Sequence, residues 1–148
     1  MNVERLARQV LGVLFIASLG VFAELLLLGH YEDWRQWLPL VVVAVGALAA
    51  AAAAARPNRR TAKWMSTVAF VQIPVGLLGV YFHLADNFEF ERERETAASG
   101  LELFRASLSG ALPALAPGAL VLLGLLGLVA GTAVGGLSTQ RRRGTEGE

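Results

Sequence analysis

The sequence has no cysteine and few of the residue types that usually build an active site in a soluble enzyme. Only two histidines and two aspartates occur in 148 residues. The absence of cysteine excludes disulfides and cysteine-ligated metals without indicating a compartment. The chain also has no glycine-rich phosphate loop, His-Glu-x-x-His helix or Gly-x-Ser-x-Gly elbow. These absences favour a non-enzymatic protein.

Apolar residues are abundant instead. They make up 55% of the chain, and the mean hydropathy is +0.53, which is too apolar for an ordinary soluble domain. A hydrocarbon core about 30 Å thick needs roughly 20 apolar residues per helix. Four runs meet this length, at about 10–29, 38–55, 65–85 and 113–137. The sequence therefore predicts a single all-α domain over 1–148, a membrane-embedded four-helix bundle with a disordered tail at 138–148.

The basic residues predict the orientation of these spans. Nine of the thirteen lie before the first span, between the second and third, or after the fourth: Arg5, Arg8, Arg56, Arg59, Arg60, Lys63, Arg141, Arg142 and Arg143. By the positive-inside rule both termini are cytoplasmic, and the first span is a retained anchor. The same rule accounts for the arginine run at 141–143, so no nucleic-acid partner is expected.

The halves of the chain follow one plan, which is consistent with a parallel two-helix repeat. In each half an outgoing helix ends in a His-x-x-Asp motif, and the returning helix is expected to open at proline, at Pro39 in the first half and at Pro113 and Pro117 in the second. The second outer loop, 86–112, contains a capping box from Ser99 to Glu102 followed by apolar residues at helical spacing. It predicts a short amphipathic helix on the membrane surface. Residues 87–100 fit either a strand or a helix.

The two His-x-x-Asp motifs are the first candidate site. They pair His30 with Asp33 and His83 with Asp86, and both histidines fall at the outer edge of a predicted span. Two imidazoles at one level, each with a carboxylate one turn on, suit a divalent metal or a haem b. The alternative is that these are ordinary membrane-edge residues.

A second candidate site is an outward-facing polar pocket around Glu24. Glu24 is the one ionisable residue well within a predicted span, and such a residue marks a functional site by default. The other expected pocket residues are Gln72, Tyr81 and Asn87. Two alternatives are a structural hydrogen bond from Glu24 to Tyr81 or to backbone, and proton-coupled or cation transport through Glu24.

Glycines predict where helices approach closely. Gly76 and Gly79 share a face of the third helix with Gln72, His83 and Asp86, which predicts that this face contacts protein. Gly127, Gly131 and Gly135 recur every four residues on the fourth helix. This ridge is expected to pack within the chain or against a second copy or another membrane protein.

Two stretches resemble a family of small bacterial four-span integral membrane proteins of uncharacterised function. They are Gly79-Val-Tyr-Phe-His-Leu-Ala-Asp-Asn-Phe-Glu-Phe-Glu91 and Ala111-Leu-Pro-Ala-Leu-Ala-Pro-Gly118, and the resemblance covers about 29–137. One departure is Phe88 directly after Asn87. The resemblance implies four spans in a bacterial cytoplasmic membrane and supplies no activity. We expect an accessory or assembly component with an outward-facing pocket formed by Glu24, His30, Asp33, His83 and Asp86; the alternatives are a haem or metal protein and a transport component.

Overall fold

The fold was examined in a computed structural model that describes residues 3–94 and 99–146, with side chains as far as 140. The described chain is all helical. The helices are α1 (Val3–Leu27), α2 (Trp34–Ala55), α3 (Arg59–Arg94), α4 (Gly100–Leu108) and α5 (Gly118–Glu146). Four of them, α1, α2, α3 and α5, are long and apolar enough to cross a membrane. The predicted fold class is confirmed, and the chain is a multi-pass membrane protein.

The α1–α2 connection is shaped by local hydrogen bonds. Gly29 takes a left-handed conformation with φ of 67°, and the N–H of His30 donates to the carbonyl of Leu25 at 2.9 Å, as in a Schellman C-cap. Asp33 caps the start of α2. The prediction that Pro39 opens this helix is therefore wrong: a capping carboxylate starts α2 at Trp34, and Pro39 lies inside it.

Helix α3 is longer than its apolar run. Its 36 residues span about 54 Å at 1.5 Å per residue, which exceeds the hydrocarbon core. In the stretch 87–100, which fitted either a strand or a helix, residues 87–94 are helical. Residues 95–98 lie outside the described residues, and α4 begins at Gly100. Arg94 pairs with Glu91 at 2.8 Å, three residues apart, which is a helical pairing.

Helix α4 is the short amphipathic helix expected in the second outer loop. Its N-cap is Ser99, although the Ser99 side chain makes no capping hydrogen bond. Leu103 and Ser107 are buried, while Leu101, Phe104 and Leu108 are exposed. Helix α4 packs only on α3 among the described helices. It lies with the α1–α2 connection at one end of the bundle, called the loop side below.

Helix α5 begins later and ends later than the sequence suggested. Turns precede it, and its first residue is Gly118, five residues after Pro113 and directly after Pro117. The helix continues through most of the stretch expected as a tail, to Glu146. Residues 147–148 lie outside the described residues.

Glycines allow α3 and α5 to pack closely. A Cβ added to Gly127 would lie 2.7 Å from Met65 Cε and 2.8 Å from Ala69 Cβ. A Cβ on Gly76 would lie 2.8 Å from the backbone nitrogen of Val121. The remaining close approaches are made by Gly79 on Pro117, Gly124 on Ala69 and Ile73, and Gly131 on Ser66 and Ala62. A Cβ on Gly135 would make only an ordinary contact with Ala62. The glycine ridge of α5 is thus used inside the chain.

The core is best filled around α2 and poorest around α1. In α2 the side chains of Ala49, Ala50 and Ala53 are completely buried, so the weakly apolar alanine run is covered by protein. The most apolar stretch of α1 has only 17% of its residues buried, against 39% in α2 and α5. Most of the α1 surface is therefore not covered by the described part of this chain.

Candidate functional site

The histidines of the two His-x-x-Asp motifs meet at the loop side of the bundle. Their ring centroids are 6.3 Å apart, with ring planes inclined by 59°. Nδ1 of His83 lies 3.3 Å from the carbonyl oxygen of Pro113. If Nδ1 carries the proton, it donates to that carbonyl and leaves Nε2 as the free acceptor of His83. The pair joins the α1–α2 connection to α3 and to the segment before α5.

The two aspartates of the motifs lie in different settings, Asp33 at the start of α2 and Asp86 on the surface of α3. Oδ1 of Asp33 accepts hydrogen bonds from the backbone nitrogens of Arg35 at 2.7 Å and Gln36 at 3.3 Å. Asp86 is exposed. Among the described residues no group of three or more histidine, cysteine or acidic side chains is arranged to hold a metal ion. A cation beside the histidines would have two imidazole ligands from this chain.

The environment of His30 disfavours its protonated form. Burial lowers the pKa of His30 below its ordinary value of 6.5, and the charge of His83 lowers it further. The nearby carboxylate of Asp33 acts in the opposite direction. The neutral imidazole is consequently the favoured form of His30 near neutral pH.

Aromatic side chains flank the histidine pair. Trp34 and Phe82 make an edge-to-face contact, with ring centroids 6.4 Å apart. The guanidinium carbon of Arg35 lies 4.9 Å from the ring centroid of Phe82. Such cation–π contacts contribute about 0.5–1 kcal/mol at exposed positions. They hold the start of α2 against α3 one residue before His83.

Glu24 lies on the outside of the bundle. Its side chain is exposed, with the neighbouring Gly20 on the same surface of α1. Within the described residues the Glu24 carboxylate has no hydrogen-bond or ion-pair partner. Tyr81, the side chain considered as its partner, is exposed on α3. Glu24 is six residues before His30, about 9 Å lower at 1.5 Å per residue. It therefore faces the membrane near its loop-side boundary.

Gln72 lies inside the bundle. It is 1% exposed, and a Cβ on Gly46 of α2 would collide with its amide nitrogen. A Cβ on Gly124 of α5 would lie 3.2 Å from Gln72 Cβ. Glu24 is thus on the surface of the bundle while Gln72 is at its centre, and the two polar groups face different surroundings.

Asn87 clamps α4 and the segment after it onto α3. The side chain is 1% exposed. Its Nδ2 donates to the carbonyl oxygens of Ser107 at 2.9 Å and Leu112 at 2.7 Å, and its Oδ1 accepts from the backbone nitrogen of Leu112 at 2.9 Å. A Cβ on Gly110 would lie 2.7 Å from Asn87 Cγ, so this position requires glycine. The arrangement positions the loop-side segment and leaves no free polar atom of Asn87 for a ligand.

A groove opens between the loop-side end of α3 and α4. Its volume is about 400 Å³, and its lining residues are Tyr81, Leu84, Ala85, Phe88, Glu89, Arg92 and Phe104. Of the four expected pocket residues only Tyr81 lines it. Sequence reasoning missed Glu89, Arg92 and Phe104 as a group because their proximity depends on α4 folding back along α3.

Comparison with family models, curated proteins and solved structures finds no match to this chain. The resemblance to bacterial four-span proteins therefore stays a prediction. Function has to be argued from the geometry of the described residues.

Proposed function

We propose that the chain is a non-enzymatic assembly component of a bacterial cytoplasmic membrane, which binds a transmembrane helix of another protein along the exposed face of α1. The observation that carries this proposal is the position of Glu24. It is exposed on a membrane-spanning helix and has no partner among the described residues. The resemblance to bacterial proteins and the distribution of basic residues support the bacterial membrane and the cytoplasmic termini.

A carboxylate facing lipid is energetically unfavourable. An acidic side chain at the centre of a spanning helix costs up to about 3 kcal/mol on insertion scales, and less toward the boundary. A donor side chain on a neighbouring helix would offset this cost by a charge-assisted hydrogen bond. Glu24 is thus tolerated best where another helix covers it.

The surface around Glu24 is suited to helix packing. Val13, Ile16, Gly20 and Glu24 lie on one exposed face of α1, at spacings of three and four residues. A Cβ on Gly20 would meet no other atom within 4 Å. Unlike the glycines of α5, this glycine has no neighbour within the chain, and small residues of this kind let a partner helix approach closely.

The chemistry of Glu24 indicates the partner. A second copy packed symmetrically on this face would bring two carboxylates together, which is unfavourable unless they share a proton. A helix with an arginine, lysine or amide side chain at the same depth supplies the missing donor. We therefore assign the face to a different membrane protein.

Replacement of Glu24 tests the proposal. The chain is purified from its native membranes in mild detergent, and the mass of the particle is compared with 15.7 kDa for the chain alone. We expect a larger particle containing a second protein, about tenfold weaker retention of that protein by Glu24→Gln, and its complete loss from Glu24→Leu. The matched control Leu122→Ala changes an exposed residue of α5 and should retain it. A particle whose composition is the same in all variants would contradict the proposal.

The histidine pair supports a second candidate function, the binding of a divalent metal or haem in a redox or metal-handling role. The ring separation of 6.3 Å and the Pro113 carbonyl at Nδ1 of His83 leave Nε2 available, as in metal sites where a backbone carbonyl orients the ligand. An absorption spectrum and elemental analysis of the purified protein test this function. A Soret band or stoichiometric metal that is lost from His83→Ala supports it, while a colourless, metal-free protein excludes it.

A further inference from the structure

We propose that the groove between α3 and α4 binds a phospholipid with a zwitterionic amine headgroup, of the phosphatidylethanolamine type. The groove combines two oppositely charged side chains, Glu89 and Arg92, with apolar walls that include Phe88 and Phe104. This proposal concerns a different surface from the α1 face and is independent of it.

The groove lies at the depth of lipid headgroups. Leu84 is twenty residues beyond Trp64 on α3, about 30 Å at 1.5 Å per residue, so it marks the loop-side boundary of the hydrocarbon core if Trp64 marks the other. Glu89 lies about 7 Å beyond Leu84 and Arg92 about 12 Å beyond it. The headgroup layer is roughly 5–8 Å thick, and the long side chain of Arg92 can reach down into it.

The charges of the groove are available for a ligand. Glu89 and Arg92 are both exposed, and neither forms an ion pair with the described residues. By contrast, Glu91 on the opposite face of the helix is buried and paired with Arg94. A phosphate oxygen suits the guanidinium of Arg92, and an ammonium group suits the carboxylate of Glu89.

The apolar part of a lipid has a continuous path below the groove. Tyr81 forms the lower end of the groove, and the same face of α3 continues into the membrane through exposed Leu77 and Phe70. These residues follow at spacings of four and seven, which is one helical stripe. An acyl chain along this stripe would place its own headgroup between Glu89 and Arg92.

The roles of the two charges predict a headgroup preference. Phosphate is common to all phospholipids, so Arg92 should contribute to the binding of each. Only a primary ammonium donates hydrogen bonds to Glu89, since the trimethylammonium of phosphatidylcholine has no N–H, and phosphatidylglycerol has no cation. Phosphatidylethanolamine should therefore bind best, by about fivefold over either of the others.

Native mass spectrometry of the delipidated full chain tests this, with the three lipids added singly at equal concentration. We expect Glu89→Gln to lose the preference for phosphatidylethanolamine, and Arg92→Gln to weaken the binding of all three lipids about fivefold. Two controls carry the same charge changes outside the groove, Glu93→Gln and Arg105→Gln, and should behave as the unmodified chain. Circular dichroism confirms that the variants are folded.

Four results would overturn the proposal. Three of them are equal retention of the three lipids by the unmodified chain, a loss of preference in Glu93→Gln as large as in Glu89→Gln, and the absence of any retained lipid. Preferential retention of phosphatidylglycerol with no effect of Glu89→Gln would also overturn it, because the groove would then be a simple anion site.

Discussion

The imidazole of His30 faces that of His83, with ring centroids 6.3 Å apart at the loop side of the bundle. His30 follows α1, while His83 belongs to α3 and also approaches the Pro113 carbonyl before α5. Three segments that are far apart in sequence are joined at this point. Protonation of His30 should therefore affect the stability of the loop side as a whole.

The first prediction concerns pH. The pKa of His30 is lowered in the folded chain, first by burial and then by His83, with Asp33 opposing. The unfolded chain thus binds a proton more readily, and the free energy of unfolding should decrease as the pH falls below about 6.5. The unfolding temperature should be lower at about pH 5 than at about pH 7.5, and His30→Gln should reduce this difference. An unfolding temperature equal at both values would contradict the assignment.

The second prediction concerns the clamp made by Asn87. Asn87→Ala would leave two carbonyls and one N–H without their partner, at a cost of about 2–4 kcal/mol. Because this clamp holds α4, trypsin should cleave after the exposed Arg105 at least about tenfold faster than in the unmodified chain. Asn87→Asp should be as damaging, since a carboxylate cannot donate to the carbonyls of Ser107 and Leu112. The exposed neighbour Asp86→Ala is the control, and equal cleavage of all variants would refute the clamp.

The third prediction concerns the centre of the bundle. Gly46→Ala places a methyl group against the amide of Gln72, and we expect it to cost about 1–3 kcal/mol. In a Gln72→Ala background the same change should cost less than half as much. Gly79→Ala, whose methyl group would meet Pro117, should cost the same in both backgrounds. The thermal unfolding of each glycine variant in detergent, with Gln72 present and with Gln72→Ala, measures the coupling between the two positions. Strictly additive effects of Gly46→Ala and Gln72→Ala would show that the Gln72 amide does not lie against Gly46.

The fourth prediction concerns the α3–α5 contact. A Cβ on Gly76 would lie 2.8 Å from the Val121 nitrogen and 3.0 Å from the Pro117 oxygen. Both are backbone atoms, so the helices must separate, and Gly76→Ala should destabilise the chain by about 1–3 kcal/mol. Gly12→Ala has open space around its Cβ and should be neutral or stabilising by up to about 1 kcal/mol. Equal unfolding temperatures for the two variants would contradict the packing.

The spans could be predicted from sequence because length and hydropathy determine them. The predicted start of α2 at Pro39 was wrong, although the sequence holds a signal for the true start, since an aspartate such as Asp33 before a run of helical residues is a usual N-cap. The end of α3 could not be predicted from the sequence. The alternation of glutamate with phenylalanine and arginine after Asn87 has the period of a strand, but its charge pairs have the spacing of a helix. The helix is stabilised by α4, which packs on α3 and is bound by Asn87, and this is a tertiary contact.

The polar residues show the same limit. The stripe from Gln72 through Gly76 and Gly79 lies against protein as predicted, but its last predicted member, Asp86, is exposed, and the next residue, Asn87, is the buried one. The same reasoning applied to Gly20 of α1 would predict a face toward protein, yet Gly20 and Glu24 are exposed. A glycine permits close packing without specifying the neighbour, so the partner of α1 cannot be read from periodicity.

The most direct test of the assembly role is photo-crosslinking in native membranes. A photoreactive residue replaces Ile16 in one variant and Phe70 in another; both side chains are about two-thirds exposed, at 69% and 67%. The two positions lie at similar depths, because Ile16 is fourteen residues before His30 and Phe70 is thirteen residues before His83. We expect a defined protein adduct from position 16 that disappears when Glu24→Leu is added, and only lipid adducts from position 70. Lipid adducts alone from both positions would show that α1 faces the bilayer and would contradict the proposed function.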